Sequence, residues 1–130
     1  MEFIDQFVAL TTATVKADRD LNQKEIDTIL MLAQSFKLDT EAVAKALETK
    51  LYQQDNPEYI ARTVDAENKL VLMQCCILVA LADNKLNLKE VEYLNKINNA
   101  MGLPTSTFVL AIASICQNNP NIQIEGNEAK

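Results

Sequence analysis

Asp18 and Glu25, matched by Asp83 and Glu90 65 residues later, are the side chains best placed by type and spacing to do chemistry. They belong to a repeated segment. Ala17-Asp18-Arg19-Asp20-Leu21-Asn22-Gln23-Lys24-Glu25 aligns with Ala82-Asp83-Asn84-Lys85-Leu86-Asn87-Leu88-Lys89-Glu90, and six of the nine positions are identical. Carboxylates are hard oxygen ligands of the kind that Ca²⁺, Mg²⁺ and Mn²⁺ select. The same residues also have a purely architectural use. Asn22-x-x-Glu25 and Asn87-x-x-Glu90 have the form of capping boxes, in which each side chain satisfies a backbone N–H left open at a helix start. Asp18 and Asp83 fit that use less well, because each falls near a helix C-terminus, where the macrodipole disfavours an anion by about 0.3–1 kcal/mol. Two compensations are open to them. One is an Asx-type turn, in which the carboxylate accepts backbone N–H bonds. The other is a cation shared with Glu25, Glu90 or Asp20. Were the two turns to meet, carboxylates about 6 Å apart would repel by roughly 3 kcal/mol per pair at an effective dielectric near 20.

The rest of the inventory removes most catalytic chemistry. The chain has no histidine, so Ser–His and Cys–His pairs, Glu-x-x-His di-iron sites and the common catalytic zinc sites are absent. Asp18, Asp20 and Asn22 open like a calcium loop, but Gln23 stands where glycine is needed and Ile29 where glutamate closes the site. No glycine-rich phosphate loop occurs. With 18 acids against 12 bases and a net charge of −6, nucleic acid and anionic membrane are not expected partners, since phosphate binding draws on Lys and Arg. A divalent cation or a protein is.

These acids are to be positioned by helices. Two glycines and three prolines in 130 residues are too few for the turns of a β-sandwich or barrel. Apolar residues recur at helical spacing instead. Phe3, Ile4, Phe7, Val8, Leu10 and Val15 mark a first helix ending near Ala17. Asn22 is expected to cap a second with Ile26, Ile29, Leu30, Ala33 and Phe36 inward, and Asp39 a third with Val43, Ala44, Leu47 and Leu51 inward. Asn56-Pro57 opens a short fourth. Asp65 precedes an apolar helix reaching about Ala82, and Asn87 one with Val91, Leu94, Ile97 and Met101 inward. Gly102 supplies a left-handed stop, and Pro104 opens the last helix through Phe108, Ile112 and Ile115. Ile122-Gln123-Ile124 is too short to form a sheet by itself.

The expectation is an all-α bundle of about seven helices with two pseudo-repeated helix–turn–helix units. Residues 1–117 form the domain and 118–130 a polar, loose tail. The run from Leu70 to Ala82 is shorter than the roughly 20 residues of a membrane span, and Met1-Glu2-Phe3-Ile4-Asp5 lacks the basic region of a secretory signal. A cytoplasmic location is expected. Cys75, Cys76 and Cys116 have no metal-binding or disulfide spacing and are expected as reduced core residues. Tyr52, Tyr59 and Tyr93 are either contact aromatics or partly buried core residues.

At Ala17-Asp18, Leu21 and Glu25, and again at Ala82-Asp83, Leu86 and Glu90, the chain resembles the TerB-like (tellurite-resistance protein B) family over about residues 1–116. That family carries an Ala-Asp-Gly-x-Leu-x-x-x-Glu-like motif after the first helix of each of two helical units. Arg19 and Asn84 depart from it where glycine is frequent. The resemblance implies an all-helical, non-enzymatic fold and a setting in bacterial stress or tellurite-resistance systems. It also implies divalent metal held by Asp18, Glu25, Asp83 and Glu90. The alternative is a protein–protein adaptor that uses an inter-helix groove, its acidic turns purely structural.

Overall fold

Where the sequence sets apolar residues at helical spacing, the computed structural model has helices. It describes residues 2–17, 23–51, 56–82, 85–86, 88–118 and 123–124. The helices are α1 (Phe3–Ala17), α2 (Gln23–Ser35), α3 (Thr40–Leu51), α4 (Pro57–Arg62), α5 (Ala66–Ala80), α6 (Leu88–Ala100) and α7 (Thr105–Asn118). Beyond them, two residues, β1 (Lys85–Leu86), pair in parallel with two more, β2 (Gln123–Ile124). The architecture is an all-α bundle. Within the alternating segment noted in the sequence, Gln123–Ile124 is used after all, paired with the segment before α6.

The hub is α1, which packs against α3, α4, α5 and α6. Its apolar residues Phe7, Val8, Leu10 and Val15 are buried, but so are Gln6, Thr11, Thr12 and Thr14. Buried hydroxyls and amides must find partners, and several find them locally. Thr11 donates to the Phe7 carbonyl at 2.6 Å and Thr14 to the Leu10 carbonyl at 2.9 Å. Gln6 reaches out of the helix and donates to the carbonyl and hydroxyl of Thr63 at 3.2 and 3.1 Å, fastening α1 to the end of α4. Phe3, Phe7 and Phe36 form an aromatic trio with centroids 5.7–6.2 Å apart, which closes the start of α1 onto the end of α2.

The two helical units end their second helices in the same way. In α2 the N–H of Leu38 donates to Ala33 C=O and that of Lys37 to Gln34 C=O, both at 2.9 Å. In α6, 65 residues later, Leu103 donates to Asn98 and Gly102 to Asn99 at 3.1 and 3.0 Å. Both are Schellman stops, which require a left-handed residue. Lys37 has φ 60° and Gly102 φ 79°. Asn98 adds a lock found in α6 but not in α2: its amide donates to Leu103 and Pro104 carbonyls, holding the turn into α7. The units also cross-pack, α1 on α6 and α2 on α5.

Several sequence expectations hold in detail and some change. Asp39 accepts from the Glu41 and Ala42 N–H groups, and Asn56 from Tyr59 N–H at 3.2 Å. Asp65 occupies the N-cap position of α5 without a side-chain capping bond, and α5 ends at Ala80 instead of Ala82. Ala44 points to solvent; Val43 and Leu47 bury α3 without it. The caps expected at Asn22 and Asn87 lie outside the described residues.

Lys37 is a bulky side chain in a conformation that costs an L-residue roughly 1–2 kcal/mol. Lys37→Gly is therefore expected to stabilise the fold by about 0.5–1 kcal/mol in urea unfolding. Gly102→Ala is expected to destabilise it by about 1 kcal/mol, for backbone reasons, since among the described residues an added Cβ meets only the Lys69 amine at 3.8 Å. An unchanged midpoint in both variants would refute the paired-stop account.

Candidate functional site

Of the four acids singled out by the repeat, Glu25 and Glu90 are described; Asp18 and Asp83 lie outside the described residues. The structure gives the two glutamates one shared, unusual property. Glu25 is the third residue of α2 and Glu90 the third of α6, and they are only 1% and 2% exposed. A carboxylate is seldom buried unless it is partnered, because losing its hydration costs several kcal/mol. The first turn of a helix offsets part of that cost through its open N–H groups and positive dipole end. Both glutamates are held by interactions within the fold. Their burial follows from position: each acid lies on the buried face of its helix, one turn before the buried Ile29 and Leu94. Among the described residues, no three acids or thiols gather into a group that could hold a metal ion.

A second surface was not singled out from the sequence. α7, Thr105–Asn118, contains no charged residue in fourteen. It buries only Phe108, with Ile112 and Ile115 half-buried, and leaves Val109 and Leu110 55% and 68% exposed. A surface helix ordinarily turns charged and polar residues to water and its large apolar ones inward. α3, its counterpart in the first unit, reads Thr-Glu-Ala-Val-Ala-Lys-Ala-Leu-Glu-Thr-Lys-Leu and turns charges to solvent. The available signal was this missing charge, which the search for apolar periodicity passes over.

A family model described as "Tellurite resistance protein TerB" matches residues 5–113 of the 130. The chain belongs to the TerB family. No curated protein and no solved structure matches it. In TerB terms, the matched span takes in both acidic segments and all seven helices except the ends of α1 and α7.

The remaining reactive side chains of this TerB domain are placed against chemistry. Cys75 and Cys76 are 2% and 0% exposed. Burial pushes the Cys75 thiol up to about 12, with the neighbouring Cys76 adding to the shift. Burial likewise pushes Cys76 up to about 12, partly opposed by a hydrogen bond with Thr14. A thiol so raised carries almost no thiolate near neutral pH and is a poor nucleophile. Tyr93 donates its hydroxyl to the Leu10 carbonyl at 3.0 Å. Its pKa is raised well above the ordinary value, first by burial and then by Cys76. Tyr93 is thus a structural bolt between α6 and α1. Tyr59, in contrast, is 61% exposed, and Tyr52 lies outside the described residues. No described helix is long and apolar enough to cross a membrane.

Two outcomes test this account. Glu25→Ala and Glu90→Ala each remove an almost wholly buried side chain, so each is expected to lose about 1–3 kcal/mol in urea unfolding, whereas Glu48→Ala on the exposed face of α3 stays within about 0.5 kcal/mol. The raised thiols make stability fall at alkaline pH. Their folded pKa values lie above the unfolded value of 9.0, so the unfolded chain ionises first and stability falls as pH climbs from 9 toward 12. The slope of unfolding free energy against pH, measured from 8 to 10.5, is expected to be negative above 9 and shallower in Cys76→Ala.

Proposed function

We propose that this TerB-family chain works by binding and not by catalysis, as an adaptor that presents α7 to a protein partner. The observation that carries the reading is the charge-free helix with Val109 and Leu110 outward. Uncharged apolar area of this kind gains free energy when a partner removes it from water, at about 25 cal/mol per Å². The inert, buried thiols of Cys75 and Cys76 and the absence of histidine support a non-enzymatic role. The family's name supports a setting in tellurite resistance or a related bacterial stress response. The test is a photo-crosslinking residue placed at Val109 or Leu110, with Glu48 as control, in cells. A discrete crosslinked species is expected from the α7 positions and not from Glu48. Equal labelling from all three sites, or none from α7, overturns the reading.

A second reading rests on Glu25 and Glu90, buried at the same position of the two units. In it, Asp18, Glu25, Asp83 and Glu90 hold a divalent ion, Ca²⁺, Mg²⁺ or Mn²⁺, through hard oxygen ligands. A saturable calorimetric response to one of these ions is expected, weakened tenfold or more by Asp83→Asn. No response at millimolar ion removes this reading and leaves the acidic segments with capping alone.

A further inference from the structure

Between Lys96 and Glu125 the sequence holds no charged residue. A segment of that length ordinarily carries about seven. The chain as a whole is not short of charge, with 18 acids, 12 bases and a net charge of −6. α7 lies inside this neutral stretch. Val109 and Leu110 are exposed there side by side, and Leu110, at 68%, is the most exposed large apolar residue among those described. Met31, Tyr59 and Leu88, in contrast, are exposed one to a helix, on α2, α4 and α6. Single apolar residues are ordinary on a protein surface; an adjacent pair on a helix without charge marks a place of association.

The neutrality of this face bears on what covers it. A different protein is commonly selected by complementary charges, and α7 offers none to read. An anionic membrane surface would require cations, which α7 also lacks. A second copy of the chain sets another condition. Two-fold pairing brings each residue near the axis against itself or a close neighbour, so any charge there meets its own sign. Between two chains of net charge −6, a neutral face is where that penalty is smallest. We propose that the partner of α7 is a second copy of this chain, the two helices crossing antiparallel about a two-fold axis at Leu110. The inference rests on α7 being the docking face. Ser106 and Ser114 lie one turn to either side of Leu110, both exposed, and such an axis sets each opposite the other. Their small side chains let the two backbones approach around the paired leucines. A single helix face is smaller than the roughly 800 Å² per partner of a tight complex, so the pairing is weak and concentration-dependent.

The test is sedimentation equilibrium of the full chain from micromolar to millimolar concentration. The mass is expected to rise from 14.5 kDa toward twice that value. Leu110→Lys and Leu110→Glu, each alone, are expected to raise the dissociation constant at least tenfold, because like charges then meet at the axis. Mixed in equal amounts, the two variants are expected to pair again, since opposite charges now face each other. Glu48→Lys, on α3, is expected to pair as the parent chain does. Should either Leu110 variant lose its helical circular dichroism, Ser114→Glu mixed with Ser106→Lys makes the same comparison. A mass of 14.5 kDa at every concentration, pairing unaffected by Leu110→Lys, or a mixture that stays monomeric overturns the proposal. The docking reading of α7 fails separately. A chain monomeric in solution whose Leu110 crosslinker captures, in cells, a species other than twice the chain mass sinks self-pairing alone. A monomer with no crosslink from α7 sinks both.

Discussion

Enclosing one helix on several sides is the constraint from which the rest of this structure follows. α1 meets α3, α4, α5 and α6, and it buries four polar residues, Gln6, Thr11, Thr12 and Thr14, as well as its apolar ones. In such surroundings a hydroxyl without a partner would be costly. Thr11 and Thr14 return their hydroxyls to carbonyls one turn back, which keeps those bonds inside the helix and leaves its outer surface free to pack. The Leu10 carbonyl accepts from both Thr14 and Tyr93. That atom therefore joins the helix that starts the first unit to the second helix of the other.

The cross-packing of α1 on α6 and of α2 on α5 makes the two units interdependent. Each second helix must arrive with its first-turn glutamate inward and must stop before it overruns the core. The paired stops at Lys37 and Gly102 meet the second demand with the same hydrogen bonds. Glycine is the unstrained choice at such a position, and the first unit keeps the geometry with a lysine. The surrounding contacts hold a backbone shape there that the residue itself disfavours.

The units diverge at their third helices. α3 carries charge on its outer face, whereas α7 carries none. The difference leaves an acidic chain with one apolar, uncharged helix at its surface, where like-charge repulsion does least to oppose association. Net charge, being a sum, conceals this.

The order of the helices, their stops and most of their inner faces were determined by the sequence alone, because spacing and capping act over four or five residues. Asp39, Asn56-Pro57 and Gly102 do locally what their side chains and backbone preferences dictate. Membership of the TerB family was legible for the same reason, since its motif is a short run at fixed spacing. Tertiary structure alone decided the rest. Glu25 and Glu90 could equally have faced solvent as capping acids; their helices are buried by partners distant in the chain, α2 against α5 and α6 against α1. Tyr93 became a bolt and Tyr59 an exposed ring through their neighbours, not their type. Burial and exposure are properties of distant segments brought together, and no local pattern encodes them.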